Sequence, residues 1–235
     1  MKPMPPRALW ILALSRMDGG VCVAGVPDDL SSWIRPTTET RRLSNSNVCD
    51  QAGNTIKPLD LVEFDLVKPI PTPPHVEDWL ADFQHPVRVL GHADPPMRQK
   101  VLEGAAEPFP DPVLTHKKRS LVLVEPDRIE RVVFDPSGYG GKYKVRLSFA
   151  AGSRLYLGES SEPGYPCTDL KLRAWGRRFR TRTGLQDAEL RRLLGAKRIF
   201  LALGLTRPFR GNYWPMVVGF HTLPDFQASI DLSNP

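Results

Sequence analysis

The sequence is short of the residues on which metal and disulfide chemistry depends. Its three cysteines, Cys22, Cys49 and Cys167, are widely spaced and odd in number, with no C-x-x-C pair. That argues against a disulfide framework and against a zinc knuckle. The five histidines form no H-E-x-x-H and keep no ligand spacing with the cysteines, so neither a metal nor another cofactor is expected. A G-x-S-x-G elbow and a kinase signature set are also missing, and no catalytic residue is nominated. No apolar stretch nears the roughly 18–20 residues of a membrane-crossing helix. The run ALWILAL (8–14) follows Lys2 and Arg7 but is short for a signal segment, and SRMDGG after it is no small-x-small cleavage site. It reads as a buried strand, in a cytoplasmic protein with no membrane partner.

Proline and glycine, by contrast, are plentiful: 24 and 18 of 235 residues, with 41% hydrophobic and 25% charged residues. The composition is that of a folded chain and excludes disordered, collagenous and coiled-coil classes. So many turn formers imply short elements, and the patterning is mainly strand. Strands are predicted at ALWILAL, VCVAG (21–25), WIRP (33–36), LDLVEFDLV (59–67), PVRVLG, SLVLVEP (120–126), RIERVVFD (128–135), KYKVRLSF (142–149), RLYLG (154–158), IFLALGLT (199–206) and YWPMVVGFHTL (213–223). VEDWLADF reads as a helical turn or two and MRQKVLEG as a short helix. LQDAELRRLLG (185–195) is the clearest helix, with Gly195 as its C-cap. The expectation is an all-β chain with minor helices, built as two small Greek-key barrels of the OB or SH3-like kind. Residues 7–106 would form the first and 119–224 the second, with a Pro-rich linker at 107–118 and a tail at 225–235.

The net charge of +6 is unevenly spread. Residues 1–80 carry a net −2, whereas residues 151–220 carry thirteen Lys/Arg against five Asp/Glu, a net of +8. KLRAWGRRFRTR (171–182) concentrates it in Lys171, Arg173, Arg177, Arg178, Arg180 and Arg182, with Trp175 and Phe179 interleaved. Guanidinium groups fork onto phosphate oxygens and aromatic faces stack on bases, so this block is a candidate nucleic-acid surface. The bland alternative is a solvated basic loop or strand whose aromatic rings plug the core. HKKRS (116–120) is a second, weaker cluster. SGYGGKYK (137–144) lacks the strand–helix context of a Walker loop and reads as a hairpin turn.

A second candidate lies in the first unit, where Ser15, Arg16, Gly19, Gly20 and Cys22 are followed by Trp33 and Arg35. Paired glycines permit positive φ or close approach of a ligand, and an arginine beside a tryptophan suits a base or a ribose phosphate. The run LALSRMDGGVCVAG, then WIRPT, PLDLVEFDLV and the distal IFLALGLTRPF and YWPMVVGF, resembles the dual OB-containing domain of small prokaryotic proteins. The resemblance covers 8–90 and 119–222. It implies two tandem OB-like Greek-key barrels and a role in binding nucleic acid or nucleotides, without established catalytic residues to carry over. The leading expectation is a non-enzymatic protein that binds single-stranded DNA or RNA through 171–182, with a protein partner also open. The first alternative is a nucleotide or second-messenger sensor with its pocket at SRMDGG and WIRP. The second is a metal-dependent nuclease using Glu63 and Asp65, which share one face of their strand.

Overall fold

The computed structural model describes residues 6–17, 19–138, 142–158 and 163–232, and the chain is mostly β. Its first half is one nearly closed barrel of β1 (Arg7–Met17), β2 (Gly20–Val26), β3 (Arg35–Thr37), β4 (Asp60–Pro69) and β5 (Asp78–Asp82). The hydrogen-bonded order is β2-β1-β4-β5-β3, and the Gly25–Ile34 bridge brings the β3 end back to β2. A short β6 (Arg88–His92) pairs on β4. The period-two rule fills the barrel: Val62, Phe64 and Leu66 of β4 point inward with Leu9, Ile11 and Ile34, while Asp65 and Val67 face out.

Residues 78–82 were expected to be helical and are strand β5. Their backbone closes the barrel between β4 and a parallel β3, and that pairing outweighs the local helical spacing.

Strand β1 is buried on both faces. A register shift between Ile11 and Ala13 re-aims its side chains, so Leu9, Ile11 and Leu14 enter the barrel while Trp10, Leu12 and Ala13 face away. The outward set packs on Leu121, Leu123, Phe200, Ala202 and Val218 from the second half, so a shared core joins the two halves.

The second half follows α1 (Pro95–Ala105). It comprises β7 (Ala106–Glu107), α2 (Asp111–Leu114), β8 (Leu121–Val124), β9 (Arg128–Gly138), β10 (Lys142–Ala151), β11 (Arg154–Tyr156), β12 (Tyr165–Pro166), α3 (Leu170–Gly176), β13 (Thr183–Leu185), α4 (Asp187–Leu194), β14 (Arg198–Leu205) and β15 (Pro215–Leu223). Two sheets, β11-β10-β9-β13 with β12 on β10 and β15-β14-β8-β7, enclose Phe134, Phe149, Leu201 and Phe220. They meet where Cys167, just after β12, bridges to Val217 of β15. Helix α4 ends on Gly195 at φ 67°, the left-handed cap its sequence position implies.

Two segments expected to be connectors are built into this body. Within 107–118, Val113 and Leu114 of α2 enter the second core, and β7 extends a sheet. In the 225–235 segment, Phe226 is 2% exposed and packs edge-on to Trp175 and Phe220, while Asp225 ion-pairs with Arg98 and Lys171. Of SGYGGKYK, Tyr139, Gly140 and Gly141 lie outside the described residues, and the flanks are β9 and β10.

Candidate functional site

Where the two halves meet, they enclose a cavity of about 930 Å³. Its walls come from the end of β1, from β2, β3 and the loop after β3, and from Thr168, Arg173 and the loop between β14 and β15. Main-chain pairing fixes these walls. Arg16 N–H donates to the Thr168 carbonyl at 2.8 Å, and Arg35 N–H to the Glu77 carbonyl at 2.8 Å. Val21 N–H donates to the Leu43 carbonyl at 3.0 Å. Beside that bond, a Cβ on Gly20 would sit 2.1 Å from the Leu43 oxygen, so only glycine lets the two segments approach.

Among the described residues, six arginines line the cavity (Arg16, Arg35, Arg41, Arg42, Arg173 and Arg207) and no acid does. Behind the wall, Asp78 is fully buried and serves three of them. Its Oδ1 accepts from Arg35 Nε at 2.6 Å, and its Oδ2 lies 3.2 Å from Arg41 Nη1 and 2.6 Å from Arg207 Nη1. Arg35 is further held by Ser120 Oγ at 3.0 Å, and Glu77 binds that hydroxyl and the Ser120 and Leu121 amides. Burial alone would raise the Asp78 carboxyl, but Arg35 and Arg207 outweigh it and hold it below the usual carboxylate range. One Asp78 carboxylate cannot balance the three guanidiniums on it, so this part of the cavity wall is cationic. Arg41 and Arg207, with side chains 30% and 27% exposed, keep part of each guanidinium open.

The other polar groups here carry no charge. His75 is 2% exposed, and its Nε2–H donates to the Thr206 carbonyl at 3.1 Å. Burial, then Arg35 and Arg207, push it down to about 3, so the ring is neutral. Burial pushes the Cys22 thiol up despite the same two arginines, which keeps it protonated. The pocket can therefore hold an anion by charge-assisted hydrogen bonds, with no poised nucleophile or general base among these two groups.

Of the first sequence candidate, Ser15, Arg16, Cys22 and Arg35 come together in this wall. Gly19, at φ +75°, and Gly20 shape the adjoining turn. Trp33 does not join them; it is 7% exposed in the core shared by the two halves. The 171–182 block is divided by helix α3, whose apolar positions pull their neighbours inward. Lys171 is 8% exposed, with Nζ 2.8 and 2.7 Å from the two Asp225 oxygens. Arg173 is buried at the cavity wall, and Trp175 is a core residue against Phe134. Phe179 stacks on Phe134 with centroids 5.2 Å apart, and the Arg177 guanidinium lies 4.5 Å over Tyr143. Arg178, Arg180 and Arg182 reach solvent, Arg178 lying 3.7 Å over the Trp175 ring.

A family model for the dual OB-containing domain matches residues 7–220. The chain belongs to the dual OB-containing domain family. No curated protein matches it. In this dual OB-containing protein, sequence reasoning missed Arg41, Arg207, Phe209 and Tyr213 of the cavity lining. TRPFRGNYW (206–214) interleaves arginines with aromatics as 171–182 does, and the same rule applied there would have found it. On β4, Glu63 ion-pairs with Arg88 at 2.8 Å and Asp65 is exposed. Among the described residues, no group of three or more His, Cys, Asp or Glu is placed to hold a metal ion.

Proposed function

We propose that this protein binds a nucleotide, without chemistry on it, in the cavity between its two halves. The observation that carries this reading is the arginine wall of Arg35, Arg41 and Arg207 around the shared buried carboxylate of Asp78, which further negative charge from a phosphate would complete. A cavity of about 930 Å³ admits a mononucleotide or a dinucleotide. The neutral His75 and Cys22 favour binding over catalysis. A thermal-shift panel of mononucleotides, cyclic and linear dinucleotides and mixed-base oligomers tests it. A mononucleotide or dinucleotide should raise the melting temperature, by an amount that grows with its concentration. Stabilisation by long oligomers alone would refute the pocket reading.

A second reading keeps the single-stranded DNA or RNA surface, narrowed to Arg178, Arg180 and Arg182. It is favoured by the exposure of these three side chains next to the half-buried Arg177. Strand binding here would be salt-sensitive, with log K falling by about 0.7 per log unit of salt for each phosphate neutralised. Replacing the three exposed arginines with alanine would weaken it.

A further inference from the structure

The loop joining β14 to β15 projects an aromatic arm at the cavity, and nothing in the arginine wall accounts for it. Phe209 lines the cavity yet is 59% exposed, the highest value for a large apolar side chain among the described residues. Trp214, on the same loop, is 39% exposed. The loop is held by its own hydrogen bonds. Phe209 N–H donates to the Asn212 carbonyl at 2.9 Å, and Asn212 N–H returns to Phe209 at 3.1 Å. Trp214 N–H donates to Thr206 Oγ1 at 2.9 Å, and its indole N–H to the Phe209 carbonyl at 3.3 Å. Tyr213, also in the lining, is tied to the first half by its hydroxyl, which donates to the Pro73 carbonyl at 3.3 Å, and packs edge-on against His75. The backbone that carries Phe209 is thus tied in place, together with the Trp214 and Tyr213 rings.

Arg207 stands two residues before Phe209 on this loop, and it is one of the three guanidiniums on Asp78. One loop therefore carries a guanidinium of the cavity wall at its base and an exposed ring near its tip. A nucleotide offers the two matching parts, a phosphate and, one sugar away, a planar base. Arg210 lies over the Phe209 ring at 5.3 Å, adding a cationic plane that also stacks on bases.

We infer that the β14–β15 loop is a base-stacking arm, in which Phe209 holds the nucleobase of a ligand whose phosphates sit on Arg41 and Arg207. The inference rests on the phosphate reading of the cavity and adds to it a reason why a nucleoside phosphate is taken over a bare polyphosphate. Phe209 is exposed, so Phe209→Ala leaves the core intact and tests the arm without threatening the fold.

The experiment is calorimetric titration of wild type, F209A and R207Q with inorganic tripolyphosphate and with each of the four ribonucleoside triphosphates. In wild type, the best nucleotide should bind about five- to hundredfold more tightly than tripolyphosphate, the usual range for one base–aromatic stack. F209A should remove most of that difference and leave tripolyphosphate unchanged, while R207Q should weaken both probes. If every nucleotide binds no better than tripolyphosphate, or if F209A leaves the preference intact, the stacking arm is overturned and the phosphate cavity stands. If wild type binds neither probe, the cavity reading falls and takes the arm with it.

Discussion

Replacing Asp78 with asparagine probes both the stability of the molecule and its ligand. Asp78 is fully buried and contacts Arg35 at 2.6 Å, Arg207 at 2.6 Å and Arg41 at 3.2 Å. D78N keeps the shape but leaves three guanidiniums without their shared counter-charge, one of them on the buried Arg35. Breaking a buried ion pair from one side costs about 3–5 kcal/mol. For a chain of this size, each kcal/mol moves the melting temperature by about 2–4 °C, so D78N should melt roughly 6–20 °C lower. A bound polyphosphate should restore much of that loss, because it brings the missing negative charge to the same three groups. The ligand-induced shift should therefore be larger in D78N than in wild type, with affinity rising tenfold for every 1.4 kcal/mol of repulsion relieved. Thermal melts with and without tripolyphosphate read both effects. A D78N protein that melts within about 2 °C of wild type, or gains no more from tripolyphosphate than wild type does, would refute the argument.

Other expectations follow from particular contacts. Burial raises the Asp169 carboxyl to about 7, above its ordinary value of roughly 3.9, so the folded state holds this proton more tightly than the unfolded one. Its contribution to stability is fully present below about pH 4 and is lost as pH rises through about 7, a loss of at most about 4 kcal/mol. Urea denaturation at pH 4.5 and pH 7.5 should show wild type losing more stability than D169N between the two, and equal changes would contradict this. Gly25→Ala would place a Cβ 2.2 Å from the Trp10 carbonyl oxygen in the β1–β2 pair, and should cost more than about 2 kcal/mol in a denaturant melt. Truncation after Pro224 removes Phe226 from the second core and Asp225 from Arg98 and Lys171. It should lower stability by about 3–5 kcal/mol, whereas a chain that melts unchanged would show that these residues are a mere tail. If strands bind at all, the R178A/R180A/R182A variant should lose affinity and show a shallower salt dependence in fluorescence anisotropy.

Much of the fold was legible because it obeys simple periodicities. The alternation of Val62, Phe64 and Leu66 on β4, the φ 67° cap at Gly195 and the hairpin at Gly152 each follow from local sequence. Residues 78–82 did not yield to that logic, since their strand exists only because β3 and β4 flank it. Burial was the harder quantity. Lys171, Arg173 and Trp175 form a basic, aromatic pattern in sequence, yet the N-cap by Asp169 starts a helix that turns all three inward. Part of the cavity lining was visible, in Ser15, Arg16, Cys22 and Arg35, because it forms one local motif. Asp78, Arg41 and Arg207 are distant in sequence and meet only through the barrel's closure and the packing of one half on the other. The burial of Val113, Leu114 and Phe226 was hidden for the same reason: they are sparse apolar residues in polar surroundings, and only the assembled core shows where they go.

Calorimetric titration of a nucleoside triphosphate into wild type and an R41Q/R207Q variant shows whether the arginine cavity is a phosphate site. Both arginines are partly exposed and the first-half and second-half cores do not depend on them, so the variant should retain a cooperative melt. Wild type should bind saturably, more weakly as salt is raised, and the variant should lose at least about tenfold in affinity, about 1.4 kcal/mol. Equal binding by the two proteins would contradict a phosphate site there.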